Sequence, residues 1–295
     1  MDAQGAFQRY EEIRHRLPQT LCQGAVTHVS GIRQIIDTAD VFVFDAFGVL
    51  NVGSTPIKGA RACVDALRAA KKRLFVLTNA ASQSRAASLA KFTALGFDFS
   101  PDEIISSRDA VLAALPDLPL WGVIADAAHQ PGDLGVPHLV LGDRAADYDR
   151  VAGFLFLSSA QWSAARQEIL EASLASAPRP FLVGNPDLVA PRETGLSREP
   201  GLFSHAVQDS TAVVPEFHGK PYPSVYQRVM AALPDGQPRD RILMLGDTLH
   251  TDILGACAQG WRSGLVTDHG LFAGRDVATF IERSGIRPDW IMPSI

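Results

Sequence analysis

The feature that most constrains this chain is the run Val41-Phe42-Val43-Phe44, closed by Asp45. Four consecutive β-branched or aromatic residues suit a strand buried on both faces, as in the interior of a parallel sheet, and they put Asp45 at its carboxyl end. Leu74-Phe75-Val76-Leu77 repeats the pattern and runs into Thr78-Asn79, and Arg241-Ile242-Leu243-Met244-Leu245 repeats it ahead of Gly246-Asp247. Gly264-Leu265-Val266-Thr267 adds a further short run. The stretch Cys63-Val64-Asp65-Ala66-Leu67-Arg68 has helical composition, which completes a strand, helix, strand unit. The economical architecture is α/β, a doubly wound parallel sheet. Ligands of such sheets collect outside the carboxyl ends of the strands, so Asp45, Thr78-Asn79 and Asp247 point to one shared site.

A chain of 295 residues is long enough for such a core with a second unit inserted into it. Strand-like runs recur between about Trp121 and Phe203: Gly122-Val123-Ile124, His138-Leu139-Val140-Leu141, Phe154-Leu155-Phe156-Leu157 and Phe181-Leu182-Val183, with a helix expected over 161–174. The expected division is therefore a first core segment over 1–118, an inserted α/β cap over 119–211 and a second core segment over 212–295. The first forty residues read as a helical lead-in, with spaced apolar positions in 10–17 and 32–36.

A carboxylate at Asp45 can attack phosphorus if a cation offsets the repulsion between two anions. Gly48 would let the following turn approach a ligand closely. Gly246-Asp247-Thr248-Leu249-His250-Thr251-Asp252 supplies two more carboxylates beside a glycine turn, a donor set suited to the hard ion Mg²⁺. Asp247 would bind it directly. Asp252 would hold a metal-bound water or orient the loop, or else serve as an acidic residue at a helix N-terminus. Thr78 and Asn79 can donate to phosphate oxygens, and Lys220, between Gly219 and Pro221, can offer an ammonium.

In this order the four segments resemble the haloacid dehalogenase superfamily. The resemblance implies Asp45 as nucleophile, Thr78 and Asn79 as phosphate binders, Lys220 as the third motif, and Mg²⁺ held by Asp45, the Phe47 carbonyl and Asp247 with Asp252 in support. The large insertion, Gly219-Lys220-Pro221 and Gly184-Asn185-Pro186-Asp187 look like the branch with nitrophenylphosphatase-like and pyridoxal-phosphatase-like enzymes. The resemblance therefore implies a Rossmann-like core with an α/β cap and a Mg²⁺-dependent hydrolase of a small phosphorylated metabolite, working through an aspartyl-phosphate. Asn185-Pro186-Asp187 would lie near the site's entrance, or be an Asx-Pro turn.

One position departs from the pattern. Phosphatases of this superfamily carry a second Asp two residues after the nucleophile, and here that residue is Phe47. A phenyl ring transfers no proton, and losing a placed acid/base costs about 10²–10⁴-fold in rate. Three readings follow: a phosphatase restricted to substrates with good leaving groups, a dehalogenase-like hydrolase, or a phosphate- and metal-binding regulatory protein. His218 and His250 have the titration range to replace the acid, but nothing in the spacing gives them reach.

A formal charge of −5 without a basic block argues against nucleic acid as partner. No run approaches a membrane span, Met1-Asp2-Ala3-Gln4 does not begin a secretory signal, and Cys22, Cys63 and Cys257 form no CxxC pair, so a cytoplasmic protein with reduced thiols is expected. An edge strand of the cap offers a route to a homodimer.

Overall fold

The computed structural model describes residues 1–126, 132 and 134–295. A seven-stranded sheet runs in the order Thr27–His28, Trp290–Met292, Arg262–Val266, Ile242–Gly246, Val41–Phe44, Arg73–Thr78, Ile104–Ser106, and every neighbouring pair is parallel. The apolar runs occupy its centre because both of its faces are covered. Phe42 and Phe44 pack with Leu74, Val76, Leu243 and Leu245 on one face. Val41 and Val43 pack with Phe75, Leu77, Ile242 and Met244 on the other. Each large apolar side chain buried this way contributes about 1.5–3 kcal/mol relative to exposure.

Register brings the strand ends level. Phe44 pairs with both Leu245 and Val76, so Asp45, Thr78 and Asp247 leave the sheet within one residue of each other.

A second parallel sheet takes the order Glu216–Phe217, Phe181–Val183, Gly153–Phe156, Trp121–Ile124, His138–Val140. Four of these strands coincide with the expected runs, and the fifth lies beyond residue 211. The helix expected over 161–174 spans Ala164–Ser176, because Ser163 accepts from Arg166 N and starts it there. An antiparallel hairpin, Val189–Arg192 with Gly195–Arg198, had no counterpart among the expected strands.

The first forty residues do more than lead in. Thr27–His28 extends the core sheet, and the helix Ala3–Glu12 starts on Asp2, which accepts from Gly5 N. Phe7, Tyr10 and Ile13 of this segment join a cluster with Leu249, Ile253 and Phe280, which Leu188 also enters. The second expected helix resolves into two three-residue 3₁₀ turns, Ile32–Gln34 and Ile36–Thr38. Between Gly31 and the strand at Val41 too few residues remain to recover the cost of nucleating an α-helix.

All three cysteines are free thiols. Among the described residues no helix is long and apolar enough to cross a membrane.

Candidate active site

Asp45 follows its strand directly and remains buried. Its Oδ1 is held twice, accepting from Ala46 N at 2.7 Å and lying 2.6 Å from Lys220 Nζ. Among the described residues Oδ2 accepts no hydrogen bond, so one carboxylate oxygen is anchored while the other stays available. Gly48 makes the next turn possible: its φ is +79°, and a Cβ there would meet the Asp247 carboxylate at 2.8 Å.

Lys220 is 1% exposed. Its ammonium also pairs with Asp252 Oδ1 at 2.7 Å. Burial pulls the lysine's pKa down, but Asp252, Asp45 and Asp187 outweigh it and hold the group above its ordinary value. Asp252 lies in a π-helical turn, Leu249–Ile253, and its Oδ2 accepts from Thr248 N at 3.1 Å. One oxygen therefore orients the loop, and the other pairs with Lys220.

Asp247 accepts from Leu271 N at 2.7 Å and from Thr248 Oγ1 at 3.0 Å. Burial, with Asp252 and Asp45 beside it, pushes its carboxyl up to about 8. Burial raises Asp45 to about 6 against the opposing pull of Lys220. Asp45, Asp247 and Asp252 each present an oxygen within 4.8 Å of the others. Three buried carboxylates against one ammonium leave negative charge in excess, and every donor is a hard oxygen. The cluster fits a divalent ion such as Mg²⁺.

Thr78 is buried at its strand end, where its Oγ1 accepts from Ala80 N. Asn79 differs from the expectation of a phosphate donor. Its Nδ2 donates to Asp187 Oδ1 at 2.8 Å and to the Lys220 carbonyl at 2.9 Å, and its Oδ1 accepts from Lys220 N at 2.7 Å. An amide has two N–H groups to give, and both are engaged in bracing Lys220 and Asp187. Asn185 accepts from Asp187 N in an Asx turn, so Asn185-Pro186-Asp187 is at once a turn and a lining of the site. Burial raises the Asp187 carboxyl well above the usual range.

The two histidines serve elsewhere. His250 is stacked 4.8 Å from the Tyr10 ring and hydrogen-bonded to Glu11 at 2.5 Å, against the N-terminal helix. His218 Nε2 lies 3.1 Å from Glu216 Oε1.

Asp45, Thr78, Asn79, Asp187 and Asp247 line a cavity of about 1150 Å³ that extends between the two sheets. Phe47 lines it with Lys91 and Arg192 close by: Lys91 Nζ is 4.3 Å and Arg192 Cζ 4.8 Å from the ring centroid. Burial, with Arg192 adding to it, lowers the Lys91 ammonium to about 8. Neither cation was singled out in the sequence. Lys91 looks like any lysine of an amphipathic helix, and Arg192 sits in a hairpin that carries no alternating pattern.

A family model described as haloacid dehalogenase-like hydrolase matches residues 42–119, and a second, HAD-hydrolase-like, matches 217–295. A chloroplastic phosphoglycolate phosphatase 1A of Arabidopsis thaliana is 35% identical over 94 residues, 32% of this chain. The match spans about a quarter of that relative's length, 26%. An acid sugar phosphatase of Staphylococcus aureus (strain USA300) is 24% identical over 242 residues, covering 77% of this chain and 85% of the relative. A solved structure of a possible sugar phosphatase from Cytophaga hutchinsonii superposes with a TM-score of 0.78 at 25% identity, covering 92% of this chain and 98% of the other.

Proposed function

From a chain that belongs to the haloacid dehalogenase-like hydrolases, with a cap of the nitrophenylphosphatase and sugar-phosphatase kind, we propose a Mg²⁺-dependent phosphatase of a small phosphorylated metabolite. The observation that carries this reading is the buried cluster of Asp45, Asp247 and Asp252 around Lys220, set at strand ends on a shared cavity. Asp45 Oδ2 attacks phosphorus, the bond to the leaving oxygen breaks with its electron pair, and an aspartyl-phosphate remains on Asp45. Water then attacks that phosphorus, the Asp45 O–P bond breaks to return the carboxylate, and inorganic phosphate leaves with the protons of that water. Mg²⁺ held by Asp45, the Phe47 carbonyl and Asp247, with Asp252 in support, would offset the repulsion between carboxylate and phosphate.

Lys220 holds the anchored oxygen of Asp45 and adds positive charge to the phosphate pocket. Thr78 offers its hydroxyl to a phosphate oxygen, and Asn79 fixes the backbone of Lys220. Phe47 supplies no proton, so the favoured substrates have leaving groups that depart as stable anions, acyl or aryl phosphates ahead of alkyl esters. We assign the segment from 119 to 211, with the strand Glu216–Phe217, to the cap that selects them. Against a dehalogenase-like reaction stands the three-carboxylate cluster, which halide displacement does not need.

Hydrolysis of acetyl phosphate, 4-nitrophenyl phosphate and an alkyl phosphate, each with Mg²⁺ or EDTA, tests the proposal. Release from the first two should require Mg²⁺, and Asp45→Asn should lower it by at least about 10³-fold. Release that Asp45→Asn leaves intact would sink the mechanism. Saturable phosphate binding without turnover would favour the regulatory reading, and chloride release from a 2-chloro acid without metal would favour dehalogenation.

A further inference from the structure

Lys91 and Arg192 have no part in the steps above, yet both line the cavity that holds Asp45. They reach it from opposite walls: Lys91 from the core helix Arg85–Ala94, and Arg192 from the hairpin strand Val189–Arg192. They meet at the Phe47 ring, two residues past the nucleophile. An aromatic face stabilises one nearby cation, but it does not cancel the repulsion between two.

Their surroundings differ. Arg192 Nη2 donates to Glu199 Oε1 at 3.0 Å and Nε donates to Ser197 Oγ at 2.9 Å. Asn185 Nδ2 in turn donates to the other Glu199 oxygen, at 3.1 Å, so the guanidinium sits on a built platform. Lys91 Nζ makes no hydrogen bond or ion pair with any described residue. Asp45 and Glu193 attract it only from beyond contact, and each is already held: Asp45 by Lys220, Glu193 by the backbone N–H of Ser54 at 2.7 Å. A half-buried ammonium without a counter-ion is costly in a protein unless a ligand supplies one.

We propose that Lys91 and Arg192 form a subsite for a carboxylate on the substrate, beside the phosphoryl group that Asp45 attacks. Arg192 is paired with Glu199, whereas no carboxylate contacts Lys91, so the two offer an anion one ammonium free of ion pairs and the edge of a guanidinium, a donor set that suits the two oxygens of a carboxylate. The substrate class is then a small phosphorylated carboxylic acid. Its carboxylate takes charge-assisted hydrogen bonds from Lys91 and from the guanidinium edge, and so ties the core helix to the cap hairpin. The apolar ring of Phe47 forms the floor between the two anionic groups and keeps water from that side of the ligand. This inference rests on the phosphatase reading.

Phosphonoacetate and ethylphosphonate are of similar size and differ by a carboxylate, and neither can be hydrolysed. Calorimetric titration of each into the full chain with excess Mg²⁺ reads the subsite without turnover. The wild type should bind phosphonoacetate at least about tenfold more tightly. Lys91→Met should bring that ratio near one while leaving ethylphosphonate within about twofold, and Lys91→Arg should keep most of the preference. Lys91→Gln serves in place of Lys91→Met if the thermal melt shows the latter to be misfolded. Equal binding of the two ligands by the wild type would overturn the subsite. So would a preference that Lys91→Met leaves intact, or an equal loss for both ligands, which would put Lys91 on the phosphoryl group instead. Asp45-dependent hydrolysis of acetyl phosphate alongside equal binding removes the subsite alone. Absence of both turnover and binding removes the phosphatase reading and the subsite with it.

Discussion

Two parallel sheets turn their carboxyl ends toward one cavity, and they load those ends with different chemistry. The core sheet delivers Asp45, Thr78-Asn79 and Asp247, whereas the second sheet delivers Leu157-Ser158 after Gly153–Phe156 and Gly184-Asn185 after Phe181–Val183. The core strand ends carry carboxylates, whereas the strand ends of the second sheet offer hydroxyl, amide and apolar groups and the charges of that wall lie on Asp187 and the hairpin segment, with Arg192 and Glu199. Both sheets are apolar behind these residues, so the charges on the core wall depend on their immediate neighbours. The core wall is accordingly a closed network of carboxylates around one lysine. The cap wall carries its ion pair of Arg192 and Glu199 on the hairpin segment, outside the core network.

The largest expected effect breaks the core side of this comparison. Lys220→Met leaves Asp45 and Asp252 without their ammonium while keeping most of its volume. Removing one partner of a buried ionic network costs about 3–5 kcal/mol, which urea denaturation at neutral pH would measure. A cost below about 1 kcal/mol would mean that the carboxylates take up protons in place of the lysine, and that the network is less obligatory than its geometry implies.

The core wall was legible in the sequence because four-residue apolar runs have few alternatives to a doubly buried strand. The residue after each run then falls at the cleft without any further information. Phe44, Leu245 and Val76 pair in register, so a local pattern became a spatial one. The position of Lys220 was legible through Gly219 and Pro221, but its burial was not, since a lone lysine ordinarily lies in solvent. Asn79 was expected to donate to phosphate; it donates instead to residues 108 and 141 positions away and so acts as a brace, and no local pattern encodes these bonds. Lys91 and Arg192 were invisible for the same reason, because their meeting at Phe47 depends on how the hairpin folds over the core. The N-terminal segment was under-read because two-residue strands and 3₁₀ turns carry almost no periodicity.

A second prediction sharpens the contrast from the cap side, where the vulnerable titratable group lies in the packing and not in the cleft. His205, on the helix Pro200–Ser210, is 1% exposed and stacks 4.5 Å from the Phe217 ring. Burial, reinforced by the cations of Arg16 and Arg9, lowers its imidazole to about 3. In the unfolded chain the group titrates near 6.5, so above that pH it has no effect on stability. As the pH falls below 6.5 the unfolded state takes up a proton that the fold refuses, and stability drops toward pH 3. By pH 5 this amounts to about 2 kcal/mol. His205→Phe should remove that slope from denaturation midpoints between pH 7 and 5. An unchanged slope would overturn the role of His205, because the raised carboxyls of Asp45 and Asp247 favour the fold as the pH falls and so act in the opposite direction.

The smallest effect is expected where the two regions are joined. Tyr10, on the N-terminal helix, stacks on His250 of the core loop that carries Asp252. Its hydroxyl oxygen also accepts from Leu188 N at 3.1 Å, on the cap segment just after Asp187. One side chain thus touches the core wall through its ring and the cap wall through its oxygen. Tyr10→Phe keeps the stack and leaves a buried backbone N–H without a partner, a cost of about 1–2 kcal/mol in a thermal or urea melt. If the link only adds stability, kcat/KM for 4-nitrophenyl phosphate should stay within about twofold of the wild type. A larger fall in kcat/KM with the same modest loss of stability would show that the N-terminal helix sets the position of Asp187 over the core site. The charged wall would then depend on the cap for its alignment, and the division of labour between the two sheets would be narrower than their chemistry suggests.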